Sequence, residues 1–121
     1  MARMHFQLAS ADAAVVYGHA IVTGRCCEAE FGVGDVFTSL EGVRLGRYDD
    51  KTGVSPSIGE PKVIVVNLRV EEISCYQQRI ERLGSRSTAG LRVSGQGIEA
   101  LLRVERAPEL TWSLWGETGG K

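Results

Sequence analysis

Val22-Thr23-Gly24-Arg25, followed after a short spacer by Phe31-Gly32-Val33-Gly34-Asp35-Val36-Phe37, decides how this chain is read. It spells strand, turn, strand. Gly32 and Gly34 flank Val33, and Asp35 follows where a carboxylate can accept hydrogen bonds from turn amides. Upstream, Val15 to Arg25 is rich in β-branched residues. Tyr17, His19, Ile21 and Thr23 share one face of it, with Ala20 and Val22 on the other, the small apolar face that a core wants. Met4 to Ala9 suits an opening strand, and Val36 to Leu40 begins the strand after the corner.

Downstream, Val63 to Val70 alternates again, with Val66, Leu68 and Val70 on one face against Asn67 and Arg69. The phase slips at Glu71-Glu72 before Ile73 and Cys75 resume it, which predicts a β-bulge, one extra residue in the strand. A second pattern competes over the same residues. Ile73, Tyr76, Ile80 and Leu83 are spaced three, four and three apart, and Gly84 follows as a helix stop. On periodicity alone this is an amphipathic helix over about 71–83, which would make the class α/β. Between the two blocks, Glu41 to Pro61 carries four glycines and two of the three prolines. Asp50-Lys51-Thr52-Gly53 within it suits a hairpin tip.

Taken together, the two blocks resemble the β-barrel that follows the GTPase domain in elongation factor Tu and related translational GTPases. Val70 to Tyr76 is similar to a strand of that barrel, Gln77 to Glu81 to its extended polar loop, and Ala89 to Gly95 to the next strand and corner. The resemblance covers roughly 4–102. It implies an all-β fold: one small closed antiparallel β-barrel over 1–121, with Glu41 to Pro61 as an enlarged connection and Val70 to Leu83 as strand and loop. Ser85-Arg86-Ser87 replaces the family's alanine-glycine-aspartate, so that turn is built differently. Leu110, Trp112 and Leu114 alternate with Thr111, Ser113 and Trp115, so 103–115 is expected to supply the closing strand and 116–121 a frayed tail.

The 121 residues fit one domain, able to bury a core without metals or disulfides. Apolar content of 43% and charged content of 24% are ordinary for a globular protein. A net charge of −1 supplies no global attraction to nucleic acid. Met1 to Ser10 lacks the apolar stretch of a signal peptide, and no run is long enough to cross a bilayer as a helix. Cys26, Cys27 and Cys75 lack the paired spacing of a zinc site and read as buried or half-buried thiols in a reducing cytoplasm.

No phosphate loop of the GxxxxGK[ST] type occurs, so the chain is no GTPase. His5 and His19 read as surface or packed residues, and Asp49-Asp50 falls short of a calcium loop. The expectation is a non-enzymatic protein without cofactor, metal or membrane, whose partner is another protein. Candidate contacts are Arg44, Arg47, Tyr48, Asp49 and Asp50 in the insertion, and Trp115 as an outward aromatic anchor. A small bacterial inhibitor or immunity protein is one form such a module takes. A translation-associated RNA- or tRNA-binding module is the alternative, with Arg79, Arg82, Arg86 and Arg92 as its basic residues.

Overall fold

The computed structural model describes residues 2–12, 18–47, 49–53, 56–107 and 109–117. Over the described residues the fold is all-β apart from one short helical segment. Among these residues the strands are β1 (Arg3–Asp12), β2 (His19–Cys26), β3 (Phe31–Gly32), β4 (Val36–Leu45), β5 (Ser57–Cys75), β6 (Gln78–Ile80), β7 (Arg82–Leu83), β8 (Thr88–Gln96) and β9 (Thr111–Glu117). Six of them pair in a ring, β4-β9-β1-β2-β8-β5 and back to β4, all antiparallel. β6 folds onto β5 as an extra strand, and β3 pairs with β7.

The period-two pattern explains the ring's interior. Met4, Phe6 and Leu8, Ala20 and Val22, Val66, Leu68 and Val70, Leu91 and Val93, and Trp112 and Leu114 are all buried and belong to one cluster. Between them stand Thr23, Asn67, Arg69 and Arg92, all exposed. Phe31, from β3, packs edge-on against Phe6 and Phe37 with ring centroids 6.0 and 5.3 Å apart. Gly97, at φ +88°, turns the chain into a 3-10 turn (Ile98–Leu101) that buries Ile98 and Leu101 and runs into α1 (Leu102–Arg106).

Gly34 is the pivot of the corner between β3 and β4. Its φ is +96°, its N–H donates to the Val70 carbonyl at 2.8 Å, and Asp35 accepts the Gly32 N–H at 2.7 Å. Gly24 is glycine for another reason: a Cβ there would lie 2.0 Å from the Gln7 carbonyl oxygen. Close approach of β1 and β2 at that point excludes a side chain.

The bulge falls where the phase slip put it. Val70 pairs with Val93 and Glu72 with Arg92, leaving Glu71 as the extra residue. Both glutamates therefore reach outward. Glu71 accepts the Ser94 hydroxyl at 2.7 Å, and Glu72 pairs with Arg79 and Arg92.

One open alternative is settled, and several expectations change. The periodic stretch 71–83 is no helix, because β5 runs through Cys75 and turns back at Tyr76-Gln77 into β6. Cross-strand pairing of Ile73 with Ile80 supplies the contact that helical spacing would have supplied. Gln77 to Glu81 is accordingly strand-bearing rather than an extended loop. The two ends of the insertion are also paired, since Glu41, Gly42, Arg44 and Leu45 meet Val63, Lys62, Ile58 and Ser57, and together they build a two-stranded arm. Finally, the closing strand is Thr111–Glu117 rather than 103–115, since Arg103 to Arg106 are helical. Gly116 and Glu117 pair with Met4 and Arg3, so the tail expected from 116 is strand for two residues, and 118–121 lie outside the described residues.

Gly34→Val is expected to lower stability by about 1–3 kcal/mol, because a β-branched residue resists positive φ. Gly34→Asn, which tolerates that region better, should lose clearly less in thermal or urea melts.

Candidate interaction surface

The arm places the predicted insertion residues in solvent. Arg44, Arg47, Asp49 and Asp50 are exposed, and Tyr48 lies outside the described residues. Asp49 is explained by the turn it starts: its carboxylate accepts the Lys51 N–H at 2.9 Å and its carbonyl the Gly53 N–H at 2.8 Å. Asp50-Lys51-Thr52-Gly53 is thus the tip, as the sequence predicts. Among the described residues no group of three or more His, Cys, Asp or Glu side chains stands close enough to share a metal ion.

Trp115 faces outward from β9, half-buried rather than free. Its ring stacks on His5 from β1 at 3.7 Å and 14°, and the Arg3 guanidinium lies 3.9 Å from its centroid. Arg3 also pairs with Glu28. His5 Nε2 and the Ser113 hydroxyl are 2.8 Å apart. Burial disfavours the imidazolium and lowers the His5 pKa below its ordinary value, with Arg3 adding to that effect and Glu28 opposing it. His19 sits in the outer row of β2, half-buried opposite Ser94.

Register shows what neighbours what. Ser39 of β4 pairs with Trp115 on one side and Val65 of β5 on the other, and Glu41 pairs with Ser113 and Val63. Val63 and Val65 point outward and are 58% and 85% exposed. Arg44, by contrast, pairs with Ile58 five residues further along β4, roughly 16 Å from Ser39 at strand rise. The structure therefore does not bring Trp115 and the arm tip together. It sets a valine pair between them, with Leu45 and Ile58 exposed further out on the arm.

Sequence reasoning missed Val63 and Val65. The signal was present: once Val66, Leu68 and Val70 face inward, alternation sends Val65 and Val63 outward. Their apolar character drew attention to strand propensity instead of exposure.

A second feature lies across β1, β2 and β8 and the β5–β6 turn. It is a surface groove of about 620 Å³ whose lining includes Gly90, Arg25 and Tyr76. Of the thiols, Cys26 is buried and Cys27 and Cys75 are half-buried, all unbridged. The Cys26 thiol lies 3.3 Å from the Ala29 carbonyl, and burial pushes its pKa up, which keeps it protonated and inert.

Set against known proteins, the chain matches no protein-family model and no curated sequence.

The depressed His5 pKa has a definite sign in stability. The unfolded chain takes up its proton near the ordinary value of about 6.5 while the folded chain still resists it. The contribution is complete above that pH and is lost as pH falls toward the folded value. Melting temperature should therefore drop on acidification through this window, and His5→Gln should flatten the slope. An unchanged slope in the variant would show that other groups set it.

Proposed function

We propose that this chain is a non-enzymatic protein-interaction module of the cytoplasm, built on a closed β-barrel of the translation-factor type. The observation that carries the docking role is the outward pair Val63 and Val65, beside the row of Ser39 and Trp115 and continuous with the arm. Both valines stand exposed among the described residues, and apolar side chains left on a sheet exterior regain their hydrophobic free energy when a partner covers them. Trp115, held by His5 and Arg3, is a pre-positioned aromatic at the margin of the same surface, the residue type that concentrates binding energy at interfaces. The ring of six antiparallel strands, each paired on both sides, supports the barrel reading. So do the Gly34 corner and the Glu71 bulge, which fall in the blocks that carry the resemblance.

Affinity capture with the wild-type chain and with Val63→Lys/Val65→Lys, each with and without nuclease, tests this reading. The expected result is one protein recovered in near-equimolar amount, indifferent to nuclease and lost with the double variant. The variant itself should melt like the wild type, since both side chains are already in solvent. Recovery of RNA with a steep salt dependence would overturn it in favour of a translation-associated RNA- or tRNA-binding module.

A further inference from the structure

Two positions on the outer surface hold residues that the fold alone disfavours, and both line the groove. Tyr76 and Gln77 form the two-residue turn between β5 and β6, closed by the Cys75–Gln78 pair, with φ of 51° and 65°. Positive φ at both central residues defines the turn type that favours Asn and Gly, because larger L side chains are strained there. Tyr76 recovers nothing from packing, being 92% exposed.

Gly90 is the second such position. It lies inside β8 without positive φ, between Thr23 and Ser74 in the register. A Cβ there would meet Thr23 Cγ2 at 3.9 Å and the Ser74 carbonyl oxygen at 4.0 Å, ordinary contact distances. The fold has room for a side chain, yet the strand carries a glycine, which costs it backbone entropy. A glycine of this kind marks a place where something else comes close to the backbone. Residues that spend stability without a structural return cluster at sites of function.

The groove's chemistry narrows the ligand. Ser74 and Thr88 bring hydroxyls to the lining, Thr23 turns its methyl toward Gly90 while its hydroxyl pairs with Ser10, Tyr76 brings a ring, and Arg25 is the charged side chain among the described lining residues. The volume of about 620 Å³ suits a small molecule. We propose that this groove binds an acidic sugar of the uronic-acid class. The C–H face of the sugar lies on Tyr76, its hydroxyls exchange hydrogen bonds with the Ser74 and Thr88 hydroxyls, and its carboxylate meets Arg25. A flat aromatic acid would satisfy Arg25 and Tyr76 but leave the Ser74 and Thr88 hydroxyls without a ligand partner.

The test is a titration of the isotope-labelled full chain with glucuronate, glucose and adenosine monophosphate, followed by amide chemical shifts. Saturable shifts with glucuronate at Gly24, Ala89 and Gly90, weaker with glucose, are expected. Arg25→Gln should erase the preference for glucuronate over glucose. Tyr76→Asn with Gln77→Gly should raise the melting temperature while weakening glucuronate roughly tenfold, the loss of one aromatic contact. Gly90→Val should fold and block the site. Absence of saturable shifts, shifts that survive these variants, or tighter binding of the nucleotide would each overturn the assignment.

Discussion

Mutual pairing around the six-strand ring is the constraint on which the rest of this structure depends. Each ring strand finds hydrogen-bond partners on both sides, so its backbone groups are satisfied over most of its length and its side chains have two places to go. The inward set is continuous from Met4 to Leu114 and forms one core. Everything of functional interest is then left to the outward set. That division explains why an exterior valine pair and a groove lined by Gly90 are informative here, whereas Leu68 or Val93 only reports packing.

The bulge at Glu71 shows how one inserted residue reconciles two demands. A regular strand would have buried one of two adjacent glutamates, at the cost of desolvating a carboxylate. The extra residue keeps both on the outer face and returns Ile73 to the core. The Glu72–Arg79 pair, on the outer face with Glu72 half-buried, contributes little by itself, as surface ion pairs do. Keeping the charge outside is the larger effect.

Much of this was legible in the residues. Alternation in 19–25 and 63–70, the Gly34 corner and the phase slip at Glu71-Glu72 all have local causes, and local causes can be read from sequence. The stretch 71–83 could not be settled that way, because three-four-three spacing is satisfied equally by a helix face and by Ile73 meeting Ile80 across a hairpin. The span of β9 was misjudged for a similar reason. Ile98, Leu101 and Val104 fill space against the sheet as a helical turn, and nothing local distinguishes that from a strand approach. Of the site, the outward position of Trp115 and the hairpin tip were readable. The stacking of His5 on Trp115 joins residues at opposite ends of the described chain, and the groove joins four segments, so neither leaves a local trace.

The placement of β9 bears on how the molecule is made. β9 lies between β1 and β4, pairing Arg3 with Glu117 on one side and Val43 with Thr111 on the other. During synthesis the strands it joins emerge well before it does. Throughout that interval two unsatisfied sheet edges stand side by side with Phe6, Phe37 and Leu40 behind them, an invitation to strands from other nascent chains. Quality control of this fold in the cell is therefore a race between arrival of β9 and capture of the open seam.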